Sequence, residues 1–161
     1  MFKKILVPLD GSKLAAKILP QVADLAKTQD AQVTLLNVYI DLKGAVPDEL
    51  LEKFMAQEVK TCEGFLVQAA NDLTAQGVKV ETVCLVGIPP QDIITYADEN
   101  GMDLIAMATH GKGEVAWLLG SVAEKVVTHA TVPVLLFRVM GVERPKAKEE
   151  QFLEVLDRGI P

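Results

Sequence analysis

The chain has 161 residues, 50% of them hydrophobic and 24% charged, with a formal net charge of −6. That length suits one domain with a proper core, and the acidic balance argues against a general nucleic-acid binder, which needs a basic face. No apolar run approaches the roughly eighteen residues of a membrane span. The opening Ile5-Leu6-Val7 is too short for a secretory h-region, so the cytoplasm is the expected compartment.

Residues 3–8 form a β-rich apolar run, read as strand one, and Asp10-Gly11-Ser12 breaks it. Asp10 or Ser12 can cap the next helix. Leu14, Ile18, Leu19, Val22, Leu25 and Ala26 fall at helical spacing, and Pro20 inside that stretch predicts a kink. Residues 32–38 read as strand two, 41–48 as a loop, and 49–75 as a long helix ended by Gly77. Strand three covers 78–86. The turn Gly87-Ile88-Pro89-Pro90 leads into a helix over 91–99, where an early proline is tolerated. Residues 103–107 read as strand four, 121–129 as a helix and 132–137 as strand five.

Strands alternating with helices, and strands that are near-continuous apolar runs, predict an α/β fold. The expected form is a single doubly wound parallel sheet with helices on both faces. The domain is expected over residues 1–140. Residues 141–161 read as a polar linker and tail whose Phe152, Leu153, Val155 and Leu156 suggest a short amphipathic helix. Cys62 and Cys84 sit in different elements, without metal-ligand spacing or a CxxC, and read as small buried or half-buried apolar residues.

The segment between strand four and the next helix carries the chemistry. Ala108-Thr-His-Gly-Lys-Gly-Glu-Val-Ala-Trp-Leu-Leu-Gly-Ser-Val122 runs from a strand's end to a helix start. Backbone N–H groups and partial positive charge gather at such a junction, which suits a phosphate. No GxxxxGK[ST] and no GxGxxG is present. Lys112 and His110 are the cationic candidates in the loop. Trp117 reads as a packing or dimer-contact residue, and His129 as packing or charge complement at a helix C-terminus.

Four pieces of the chain, in order and at consistent spacings, resemble the universal stress protein family. They are Lys3-Lys-Ile-Leu-Val-Pro-Leu-Asp-Gly-Ser12, Val86-Gly-Ile-Pro-Pro90, Gly101-Met-Asp-Leu-Ile-Ala-Met-Ala-Thr-His-Gly111 and the stretch from Leu119 to Arg138. The resemblance implies a flavodoxin-like or Rossmann-like sheet of order 3-2-1-4-5 and a homodimer through the last strand. One branch of the family binds ATP through a Gly-rich loop, whose positions fall here on Ala108, Gly111, Gly120 and Ser121. Ala108 replaces a glycine, and eight residues separate Gly111 from Gly120, one fewer than in the family's pattern. An alanine is tolerable where φ stays negative, and a loop bulging into solvent can absorb a deletion.

With that strand order, the reversals after strands one and four meet at the crevice where ligands bind in such sheets. The resemblance then assigns a nucleotide site to Pro8, Leu9, Asp10, Val38, Ala108, His110, Gly111, Lys112, Gly120, Ser121 and Val122. Val38 would meet the adenine edge through its backbone. Asp10 would contact a ribose hydroxyl or a metal-linked water, and equally serves as a simple cap. Gly111, Gly120, Ser121 and Val122 would offer N–H groups to phosphates, with Mg²⁺ as a fitting bridge. The expected ligand is ATP and the expected role regulatory, within a stress response. No catalytic set is visible: Glu114 reads as a solvated carboxylate, and neither a Ser-His-Asp order nor HExxH occurs. A nucleotide-free dimeric interaction module, acting through its dimer surface and tail, stays open as the alternative. So does an enzyme of the wider adenine-nucleotide hydrolase-like group.

Overall fold

The computed structural model describes residues 1–111 and 119–139. Five parallel strands stand in the order β3-β2-β1-β4-β5: β1 Lys4–Pro8, β2 Gln32–Tyr39, β3 Lys79–Val86, β4 Leu104–Ala108 and β5 Val134–Phe137. Four helices cross over between them: α1 Leu19–Gln29, α2 Asp48–Thr74, α3 Pro89–Glu99 and α4 Ser121–His129. The predicted architecture holds, with boundaries within about two residues except at α1, which begins five residues later than the helical stripe and ends three later.

Period-two alternation sorts the central strands onto two faces. Ile5, Val7, Val33, Leu35 and Ala106 pack beneath Val22 and Ala26 of α1 and Leu66 and Leu73 of α2. Leu6, Leu36, Ile105 and Met107 point the other way, against Ile93 and Ala97 of α3 and Ala123 and Val126 of α4. Each strand of the central pair is therefore apolar on both sides. This is why β1 and β4 read as unbroken hydrophobic runs rather than alternating ones.

Two expectations need correction. Pro20 does not kink a helix that begins at Leu14. Residues Ala15–Ile18 form a 3₁₀ turn, and α1 starts afresh with Pro20 in its first turn. The missing proline N–H costs nothing there, because first-turn amides have no intrahelical acceptor. Cys62 and Cys84 are not independent packing residues. Laying α2 over β3 brings their Cα atoms to 6.3 Å, within disulfide range, and they are joined. The tail predicted over 141–161 lies outside the described residues, as do Lys112, Glu114 and Trp117.

Candidate functional site

The site originates in a mismatch of strand lengths. β1 and β4 share only two register pairs, Ile5↔Leu104 and Leu6↔Ile105. β1 follows β2 a little further, to Pro8↔Leu36, while β2 runs on with β3 to Tyr39↔Val86. Beyond Pro8 the middle of the sheet is open at its C-terminal end.

The first reversal closes the end of β1. The Leu9 amide donates to the Leu36 carbonyl at 2.8 Å, and the buried Asn37 side chain donates from Nδ2 to the Leu9 carbonyl at 2.7 Å. The Ser12 amide then donates to Asp10 Oδ1 at 2.9 Å, and the Ala15 amide to Ser12 Oγ at 3.0 Å. Asp10 thus fixes its own turn and Ser12 caps the 3₁₀ turn. Gly11 takes φ +77°, and a Cβ there would sit 2.9 Å from the Phe65 ring of α2. Glycine is required at this position on both counts.

The second reversal closes the end of β4. The Thr109 amide donates to the Phe137 carbonyl at 2.9 Å, and the Gly120 amide to the Thr109 carbonyl at 2.9 Å. Gly120 is the N-cap of α4, so one hydrogen bond clasps the two ends of the intervening segment together. Ala108 is the last residue of β4, and Asp30 alone among the described non-glycine residues has positive φ. The condition for accepting alanine in place of glycine is therefore met. His110 is buried, its Nδ1 2.8 Å from Thr109 Oγ1. It belongs to the wall rather than to a solvated cationic loop.

The two reversals touch. The Asp10 carboxylate lies against the backbone of Gly111, where any Cβ would collide with it. Around this contact opens a cavity of about 550 Å³. Pro8, Leu9, Asp10, Val38, Ala108, His110, Gly111, Ser121 and Val122 all line it. Gly120 forms its clasp, and Lys112 lies outside the described residues.

Val38 has a backbone orientation that derives from the ladder. Leu36 turns its carbonyl toward β1 to receive the Leu9 amide, and Tyr39 turns its own toward β3 to receive the Gly87 amide. Backbone groups alternate sides along a strand, so Val38, two residues beyond Leu36, directs its N–H and C=O toward the β1 side. No residue of β1 pairs there.

Sequence reading missed the α2 side of the cavity, where Phe54, Glu58, Thr61, Cys62 and Phe65 form part of the wall, and the flank made by Tyr39, Ile40 and Leu42. It also missed Asn37, which pins the first reversal. A signal for Asn37 existed, a lone amide in the apolar run Leu35-Leu36-Asn37-Val38, since buried amides need partners. For the α2 residues none existed until the helix was placed. Among the described residues no group of three or more His, Cys, Asp or Glu side chains that could hold a metal ion occurs. No described helix is long and apolar enough to cross a membrane.

Comparison with known proteins identifies the family and the fold. A model of the universal stress protein family matches residues 1–138. Universal stress protein YxiE of Bacillus subtilis is 34% identical over 148 residues, 86% of this chain and all of the relative. The solved structure of protein MJ0577, a universal stress protein of Methanocaldococcus jannaschii, superposes with a TM-score of 0.80 at 29% identity, covering 88% of this chain and 99% of that one. The universal stress protein of Archaeoglobus fulgidus, solved in complex with dAMP, does so with a TM-score of 0.65 at 25% identity, over 84% and 97% of the two chains.

Proposed function

The chain belongs to the universal stress protein family, and we propose that its cleft binds an adenine nucleotide, ATP with Mg²⁺, as a regulatory ligand in a stress response. The carrying observation is the contact of Asp10 with Gly111 at the open end of β1 and β4, beside a cavity that the first turn of α4 helps to line. The dAMP complex of the Archaeoglobus relative supports the ligand class.

Each part of the nucleotide then has a physical counterpart. The Val38 N–H and C=O meet the adenine edge, giving one donor and one acceptor for a base that offers both. Asp10 takes a ribose hydroxyl or a magnesium-bound water. Gly111, Ser121 and Val122 direct backbone dipoles at the phosphates, where a helix N-terminus favours negative charge; the Gly120 amide, expected to join them, is instead engaged by the Thr109 carbonyl. Lys112, outside the described residues, is the cation the family resemblance adds. The Gly120–Thr109 hydrogen bond supports ATP binding despite the shortened spacing, because it holds the two ends whatever length lies between.

In this reading the protein is a binder rather than an enzyme, works in the cytoplasm, and carries its ligand as a homodimer. Among the described residues β5 is an edge strand with Leu135 exposed, and an apolar edge of this kind invites pairing with a second copy. A thermal melt with and without Mg-ATP tests the proposal. Ligand at a hundred times Kd should stabilise by about 2.7 kcal/mol, a rise of roughly 5–10 °C for a chain of this size. No shift at millimolar Mg-ATP would return the protein to a nucleotide-free interaction module.

A further inference from the structure

We propose that Cys62 and Cys84 form a reversible thiol–disulfide site in the wall of the cavity, with a dithiol reductant as its reaction partner, and that its redox state sets nucleotide affinity. The affinity claim rests on the nucleotide reading above.

The disulfide joins the two elements that shape the cavity. Cys62 lines it. Along the 27-residue helix α2, Cys62 is also the first buried side chain; the residues before it are exposed or half-buried. Phe54, Glu58 and Thr61 of that poorly anchored half nevertheless form cavity wall. The disulfide is therefore the first firm attachment of the overhanging half to the sheet. One helical turn on, the Phe65 ring packs on Gly11 and holds the Asp10 reversal from outside. At the other end of the bond, Cys84 stands in register with Asn37, whose side chain pins the Leu9 carbonyl. A single covalent link thus bears on both supports of the first reversal.

The pair is also placed for exchange. Cys62 is 1% exposed, whereas Cys84 is half-buried on an edge strand. An incoming dithiol thiolate attacks Cys84 Sγ. The Cys62–Cys84 bond breaks, Cys62 leaves with the electron pair as a thiolate, and solvent protonates it. The reductant's second thiolate attacks its own sulfur in the mixed disulfide and releases Cys84, which is protonated in turn. Two electrons and two protons pass to the protein, and the dithiol becomes a disulfide. In the cytoplasm, where we place the protein, disulfides are of this transient, redox-responsive kind.

Once the link is cut, the overhanging half of α2 loses its anchor. A helix end held by few buried contacts opens locally, the wall over Val38 loosens, and the tie from α2 to the strand beside Asn37 is lost. Reduction should weaken nucleotide binding.

The test compares full-length protein purified without reductant with the same protein after dithiothreitol and gel filtration. Thiols are counted in denaturant, Mg-ATP affinity is measured by calorimetry, and amide exchange is followed without ligand. We expect no free thiol before reduction and both cysteines free after it. The Kd should rise by roughly fivefold or more on reduction, the lower end of typical site-to-site coupling, and recover on diamide oxidation. The double variant Cys62→Ser/Cys84→Ser should hold the weaker affinity and ignore reductant. In ligand-free protein, amides of residues 9–12 and 50–61 should exchange faster after reduction.

Equal affinity in both verified redox states overturns the proposal and leaves the nucleotide reading standing. Two thiols that diamide fails to join also overturn it. If neither state binds nucleotide, the proposed function falls and exchange alone decides. Unchanged protection of those amides then sinks the thiol site, and faster exchange sustains it.

Discussion

β1 and β4 meet at one end and part at the other, and an aspartate stands at each end. At the closed end the Asp103 carboxylate accepts the Lys3 amide at 2.8 Å and the Lys4 amide at 3.2 Å, while the Asp103 amide donates to the Lys4 carbonyl at 3.0 Å. Lys3 Nζ reaches the Gln29 carbonyl at 2.7 Å, and Lys4 Nζ the Asn100 carbonyl at 3.2 Å. At the open end Asp10 receives the Ser12 amide of its own turn and stands across the gap against Gly111. One carboxylate staples a neighbouring strand; the other lines a cavity. Residue type does not distinguish them. What does is whether the backbone opposite is a paired strand or a reversal.

Four substitutions probe that contrast. The largest effect should fall on the seam between the two ends. Leu6 is fully buried and in register with Ile105, and Leu6→Ala should cost roughly 2–5 kcal/mol in urea unfolding. A loss below about 1 kcal/mol would mean that the seam is not the shared support of both ends. Asp103→Ala comes next. It removes charge-assisted hydrogen bonds to two amides and should lower stability by about 1–3 kcal/mol while leaving Mg-ATP affinity unchanged; a matching loss of affinity would erase the division between staple and site.

Asp10→Asn should behave in the opposite way. The amide oxygen can still receive the Ser12 N–H, so stability should stay within about 0.5 kcal/mol. The lost charge should raise the Kd for Mg-ATP roughly tenfold, about 1.4 kcal/mol, by calorimetry. Ser121→Ala is the mildest. It removes one hydroxyl at the start of α4 but leaves the helix amides in place. We expect roughly a two- to fivefold weaker Kd, up to about 1 kcal/mol; a much larger loss would shift the phosphate contact from backbone to side chain.

The sheet was legible because β1 and β4 are apolar runs bounded by turn residues, and because α3 and α4 end at Glu99 and His129, where the helical pattern ends. Pro20 misled because sequence periodicity does not distinguish a proline that breaks a helix from one that begins it. Leu14 and Ile18 are buried or half-buried by a 3₁₀ turn that keeps nearly the same stripe. In the site, Asp10, Gly111 and Ser121 could be found from motif spacing, whereas Phe65 and Cys62 could not. Twenty-two positions separate Cys62 from Cys84, a distance along the chain that carries no geometry until α2 lies across β3. The outward turn of the Val38 backbone likewise depends on where β1 stops. That is a fact of strand length, not of any residue near Val38.

The clasp between Gly120 and Thr109 bears on how this molecule can be re-engineered. The segment between β4 and α4 is tied off by a hydrogen bond at its stem, so a change of length between Gly111 and Gly120 need not move either end. Loop-closure entropy rises by only about 0.6 kcal/mol for each doubling of length. A tag, an epitope or a small fluorescent reporter spliced in there should be carried by the scaffold without disturbing the register of β4 and α4, at a spot adjoining the proposed nucleotide cleft.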